Sequence, residues 1–293
     1  MELDYVKLRD IKPALSGYIR EAESILRTGG FPDEKSVHDV RVLMKKARSV
    51  LRIIAPQLNP EFTDREFKAL REVGRIMSSW RETSVIRKSL KELKKKHPDI
   101  FSRLRDNERL TALNKKPEYI AESSEAEKRS LAGINEILNK SGYRIRFEPM
   151  NNLDPQLLLK ELEMTFNRVT NNYLICRNKP GRCKLHELRK SSKDFLYQLW
   201  FFRPLNAPVI KTLEKKLDTI AQNLGKYNDL SLVIMELGYR YEYTANPPVL
   251  DELVVVIREE QDKYLSKVWP VAHKIFCPGL KLANLLGFKL LMI

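Results

Sequence analysis

The chain repeats itself once, and the repeat carries more than hydrophobic spacing. Residues 37–58, VHDVRVLMKKARSVLRIIAPQL, match residues 185–205, LHELRKSSKDFLYQLWFFRPL. His38 pairs with His186, Arg41 with Arg189, Lys45 with Lys193 and Pro56 with Pro204, and each pair is 148 residues apart. The same offset upstream pairs Tyr18 with Phe166 and Arg20 with Arg168. Downstream the match loosens and slips by one, so that SWRETSVI (79–86) faces KYNDLSLV (226–233) and Arg81-Glu82 faces Asn228-Asp229. Two amphipathic helices share apolar periodicity by default. They do not by default share His, Arg, Lys and Pro at fixed places. A period this long exceeds any solenoid unit and points to a duplicated helical half-domain, with residues 1–146 as the first half and 147–293 as the second.

Within the first copy the polar residues His38, Arg41, Lys45, Arg48 and Arg52 follow steps of 3, 4, 3 and 4. On a helix of 3.6 residues per turn that spacing draws one stripe. Val37, Val40, Leu43, Met44, Ala47, Val50, Leu51 and Ile54 fall on the opposite side, a face fit for a core. Asp39 alone offsets the five basic residues between 38 and 52. Aligned like charges cost a few tenths of a kcal/mol per pair, so a one-signed row suggests an anionic partner. The second stripe, His186, Arg189, Lys190 and Lys193 followed by Tyr197 and Trp200, is weaker. Lys211, Lys215 and Lys216 add to it.

The remaining pattern is helical with little strand signal, which predicts an all-α fold. A helix is expected over 11–27, stopped at Gly29-Gly30. The next covers 37–55, with Ser36 as its N-cap and Pro56 as its end. One charged helix follows over 64–96 and another over 124–139. The stretch NKSGYRIRFEPMNNLDP breaks the pattern and marks the boundary between halves. Further helices are expected over 155–176, 185–203, 207–224, 228–240 and 249–275. The last of these takes in the strand-like run LVVVI. The tail CPGLKLANLLGFKLLMI either lies on a membrane surface or, as such tails more often do, packs across a groove of its own bundle.

The formal charge of +15 and pI near 9.6 favour a polyanion as partner: nucleic acid, an anionic membrane or a phosphate polymer. An apolar fraction of 43% supports a packed core. Three cysteines at spacings unlike a zinc site suit a reducing compartment. The N-terminus lacks a signal-peptide core, and no stretch is apolar enough to span a bilayer, so a cytoplasmic location is expected. Neither histidine is followed by a carboxylate or second His at i+3 or i+4, and the flanking cations repel a metal. No Walker loop, nucleophile elbow or HExxH occurs. The expectation is a non-catalytic protein without cofactor or metal.

The paired His-x-x-Arg-x-x-x-Lys helices resemble the CHAD family, the conserved histidine alpha-helical domains, over roughly residues 10 to 275. His38, Arg41, Lys45, Lys46, Arg48 and Arg52 carry the likeness in the first half. His186, Arg189, Lys190, Lys193 and Tyr197 carry it in the second. Arg81-Glu82 and Asn228-Asp229 resemble the family's Arg-Asp and Asn-Asp motifs, with Glu82 in place of the usual Asp. Asp194 and Leu196 stand where basic residues are usual. The resemblance implies two pseudo-symmetric helical bundles around a basic groove or pore that binds inorganic polyphosphate, on polyphosphate granules. It makes Arg20, Arg81 and Arg168 further candidates for phosphate contact. Some members carry a triphosphate-tunnel (CYTH) domain beforehand. MELDYVK lacks its ExExK strand, so a stand-alone binding module is expected. RNA or single-stranded nucleic acid is the alternative partner. The first stripe has no aromatic residue between 38 and 52, whereas nucleic-acid binders interleave aromatics with cations. Tyr197 and Trp200 keep the alternative open.

Overall fold

The computed structural model describes residues 6–27, 31–80, 82–114, 125–238 and 248–287. Among these residues the chain is helical and contains no strand. The helices are α1 (Leu8–Leu26), α2 (Glu34–Ile54), α3 (Pro60–Ser79), α4 (Glu82–Lys96), α5 (Pro98–Arg103) and α6 (Glu108–Asn114). They continue with α7 (Glu125–Phe147), α8 (Pro155–Asn178), α9 (Arg182–Leu199), α10 (Ala207–Glu236), α11 (Pro248–Phe276) and α12 (Leu282–Leu285). Short 3-10 turns at 55–57 and 200–202 follow the two histidine helices, α2 and α9.

All eight apolar residues expected on the inner face of α2 are buried. The start of that helix differs from expectation. Asp33 caps it, with its carboxylate accepting from the Ser36 N–H at 2.7 Å. Ser36 therefore serves as the capped donor, and the charged acceptor three residues earlier is the stronger partner for the helix N-terminus.

Helix pairing in the second half repeats that in the first. In the first, α1 packs on α2, α2 on α3, and α7 on α1 and α3. In the second, α8 packs on α9, α9 on α10, and α11 on α10 and α8. Asn59 caps α3 and Asn206 caps α10, each through its side-chain oxygen. These caps are 147 residues apart, whereas Pro56 and Pro204 are 148 apart. The one-residue slip of the repeat therefore falls in the turn between the second and third helices of each half.

Helices α2 and α9 cross at the centre. The Ser49 hydroxyl donates to the Asp194 carbonyl at 2.9 Å, and the Gln198 amide donates to the Ser49 carbonyl at 3.2 Å. Both side chains are buried, and each such bond contributes about 1 kcal/mol. The main core runs through both halves around this crossing. A second core lies where α4, α5 and α6 meet the end of α10 and the start of α11. Buried Glu66 on α3 is paired with Arg144 of α7; removing one partner of such a pair typically costs about 3–5 kcal/mol.

Three expectations shift. The charged stretch 64–96 forms two helices, α3 and α4. Its second-half counterpart, expected as two, is the single helix α10 running through Gly225. Helix α7 continues past Gly142 to Phe147. LVVVI is helical within α11, as expected. The described part of the tail packs on its own chain: Leu282 and Leu286 are buried, and Asn206 donates to the Leu286 carbonyl at 3.1 Å. Residues 288–293 lie outside the described residues. No described helix is long and apolar enough to cross a membrane.

Candidate anion-binding site

Arg41, Lys45 and Arg48 leave α2 on the side facing α3, where Arg71 and Arg75 come to meet them. Together with Gly74 and Ser78 these five cations line an open pocket of about 210 Å³, and no acidic side chain is among its lining residues. Arg41 donates to the Gly74 carbonyl at 2.9 Å and also bonds the Ser78 hydroxyl, so it fastens α2 to α3 while facing the pocket. Arg75 is held by Glu72 at 2.6 Å on the exposed side of α3. Burial and the neighbouring charges of Arg52 and Arg71 lower the Arg48 pKa, against the opposing pull of Asp194. Cations crowded in this way are relieved by an anion.

The stripe was legible on α2, but the pocket's other wall was not. Arg71 and Arg75 read as two more cations on a mixed-charge helix. Only the packing angle of α3 against α2 turns them inward. Their signal in the sequence was their spacing of four, which puts both on one face.

The other expected residues are placed as follows. His38 stands one turn before Arg41, exposed and outside the pocket lining. Lys46 lies over the Tyr18 ring at 5.6 Å. Arg52 pairs with Asp194 at 2.5 Å, and Arg168 with the same carboxylate oxygen at 3.3 Å. Arg20 is exposed on α1. Arg81 lies outside the described residues.

On α9, Arg189 donates to the Ala221 carbonyl at 3.1 Å. Gly74 and Ala221 are 147 residues apart, so the two frame arginines make the same bond in both halves. Gly225 leaves room for this: a Cβ there would lie 3.2 Å from Arg189 Nε. Lys190 is paired with Glu187 at 2.8 Å, and Lys193 with Asp218 at 3.0 Å. His186 is exposed at the surface. Its pKa is lowered by the protein mass around it and by Lys190, Arg189 and Lys45, with Glu187 opposing. Lys45 thus brings the first stripe beside the second. Burial pushes the Tyr197 hydroxyl up to about 12, and Lys193 sits 5.6 Å from its ring. Trp200 packs edge-on against Phe201 and beneath Lys7. No group of three or more potential metal ligands occurs among the described residues.

Paired helical units, each centred on a histidine helix whose arginine clamps the next helix, define an all-α class of protein. The CHAD domain profile matches residues 11–237, and the chain belongs to the CHAD family. A solved structure titled as the CHAD domain from the plant Ricinus communis shares the fold. It has a TM-score of 0.56 at 17% identity, covering 96% of this chain and 90% of that one. No curated protein sequence matches.

Proposed function

We propose that the protein binds inorganic polyphosphate without chemical turnover, gripping it first in the α2–α3 pocket. The observation that carries this reading is the meeting of Arg41, Lys45, Arg48, Arg71 and Arg75 around one open pocket with no acidic side chain in its lining. Arginine forks suit phosphate oxygens, and lysine adds a mobile point charge. A linear polyanion with about one charge per phosphorus needs no other recognition element. From the pocket the cations continue along α2 to Arg52 and meet Arg168 at the crossing with α9, a path for a flexible chain. Lys46, His186, Arg189, Lys190 and Lys193 flank it.

Tyr197 and Trp200 support plain phosphate over RNA. Both are half-buried and packed against their own chain, whereas base stacking needs open aromatic faces. Residence on polyphosphate granules belongs to the same reading. Titration with polyphosphate of defined lengths, in competition with single-stranded RNA at equal charge and fixed salt, tests it. Polyphosphate should displace RNA, and no orthophosphate should be released on incubation with divalent metal. RNA that displaces polyphosphate overturns the choice of ligand, and released orthophosphate overturns the absence of turnover.

A further inference from the structure

The crossing of α2 and α9 holds a carboxylate in the middle of a run of cations. Asp194 Oδ2 lies 2.5 Å from Arg52 of the first half and 3.3 Å from Arg168 of the second. Arg48, which lines the α2–α3 pocket, stands within electrostatic reach of Arg52 and Asp194. A phosphate chain that leaves the pocket past Arg48 meets this carboxylate next. The cluster is partly open to solvent: the side chains of Arg52, Arg168 and Asp194 are 35%, 43% and 22% exposed, although the Arg52 Nη1 that meets Asp194 is itself buried. The carboxylate is also not the sole tie between the helices there. At that level the crossing is fastened by the Asp194 backbone carbonyl, which accepts from Ser49, and by the Gln198 amide. The carboxylate can leave while α9 stays in place.

We infer that Asp194 is an internal counter-ion that occupies Arg52 and Arg168 in the free protein, is displaced by a phosphate of the bound chain, and sets how tightly the chain is held. This rests on the polyphosphate reading above. The Asp194 carboxylate presents one oxygen, Oδ2, and one charge to both guanidinium groups, and a backbone phosphate of the polymer offers two oxygens and one charge in its place. Exchange therefore keeps both arginines paired, while the displaced carboxylate is left beside the polyanion and repels it. The net effect is to weaken binding and to confine the tightest grip to the first-half pocket.

The test is the variant Asp194→Asn, titrated with long-chain polyphosphate across a salt series beside the wild type. Removing the competing charge should tighten binding about fivefold at low salt, the size of one unit-charge interaction at 4 Å in water. The log–log salt slope should steepen by about one, because the cluster then presents one more net positive charge to the chain. In an Arg52→Gln/Arg168→Gln background the same Asp194→Asn change should bring a clearly smaller gain, because no ion pair is left to break and only the repulsion is relieved. Unchanged or weaker binding by Asp194→Asn, or an equal gain in that background, overturns the inference. If Asp194→Asn does not fold, the guanidinium Nε–H resonances of Arg52 and Arg168 in the wild type decide: they should shift on saturation with polyphosphate, and unmoved resonances overturn it. A wild type that binds no polyphosphate overturns the functional reading as well, and that failure shows in the first titration.

Discussion

The two histidine helices begin alike and then diverge. Along α2 the stripe reads His38, Arg41, Lys45, Arg48, Arg52; at the same places α9 carries His186, Arg189, Lys193, Leu196, Trp200. The following helix diverges further. With the 147-residue offset, Arg71 and Arg75 of α3 correspond to Asp218 and Gln222 of α10. Asp218 pairs with Lys193 and accepts from Gln222 at 2.5 Å. The clamp that sets helix packing, Arg41 to Gly74 and Arg189 to Ala221, is kept in both halves. Of the cations that line the pocket, Arg48, Arg71 and Arg75 are kept in one. Arg41 both clamps and lines the pocket, whereas these three line it without clamping a helix, so the proposed binding strength should reside in the first half.

The largest effect should come from that pocket. Arg71→Gln with Arg75→Gln removes two exposed cations that contribute nothing to the core. At low salt polyphosphate affinity should fall about tenfold, most of it through Arg71 because Glu72 already offsets Arg75, and the log–log salt slope should flatten by about one, by analogy with phosphate contacts in nucleic acids. Lys190→Gln with Lys193→Gln removes equal charge from the second half, where Glu187 and Asp218 already neutralise it. Its cost should be about threefold or less, since exposed ion pairs leave little net field. Lys94→Gln with Lys95→Gln, on the exposed side of α4, measures diffuse attraction to the positive protein. Equal losses in all three would erase the distinction between the halves.

A rebuilding experiment sharpens it. Asp218→Arg with Gln222→Arg gives α10 the pattern of α3 and frees Lys193. Polyphosphate titration should show a gain of about fivefold, roughly one unit-charge interaction in water. A loss would mean that the α9–α10 face does not meet the ligand at all.

The two clamps can be compared through their glycines. At Gly74 an added Cβ meets nothing within 4 Å; at Gly225 it comes within 3.2–3.3 Å of the Arg189 guanidinium. Gly74→Ala should stabilise the fold by about 0.5–1 kcal/mol, the ordinary gain of alanine over glycine in a helix. Gly225→Ala should gain nothing or lose about as much, because Arg189 must shift from the Ala221 carbonyl. Thermal melts of the two variants read the difference, about 2–4 °C apart for each 1 kcal/mol in a chain of this size.

Much of this could be read from the sequence where one helix was enough to decide it. The apolar face of α2 and the paired frame of His, Arg, Lys and Pro were legible because periodicity and identity agreed. What depended on two helices was not. Arg41 reads as a candidate ligand contact from α2 alone; its bonds to Gly74 and Ser78 become visible only with α3 in place. The expected helices 207–224 and 228–240 left a gap that begins at Gly225, where the structure has one continuous helix. The glycine's role in α10 is to let Arg189 approach. Arg71 and Arg75, four apart, share a face of α3, but a charge on an exposed helix looks the same whether or not a neighbour stands opposite. Asp194 was recognisable only as an acid among bases, and its reach to both Arg52 and Arg168 comes from the crossing of α2 and α9.

The smallest effect should be the pH dependence, and it belongs to the second half. His186 has its pKa lowered by the surrounding protein and then by Lys190, Arg189 and Lys45. Without ligand the ring is therefore mostly neutral at pH 7. A polyphosphate chain beside it opposes those cations and raises the pKa, so binding takes up a fraction of a proton. By linkage the affinity must then rise as pH falls from 8 toward 6, by about two- to threefold for partial uptake. The sign is opposite for the free protein. A histidine whose folded pKa is depressed favours unfolding below its unfolded value near 6.5, so the ligand-free fold should weaken slightly on acidification while the complex tightens. His186→Gln should flatten the affinity profile between pH 6 and 8 and leave the Arg71 and Arg75 contributions intact. If wild type and His186→Gln show the same profile, the imidazole lies beyond the reach of the bound chain, and the second half meets it only through cations that do not titrate between pH 6 and 8.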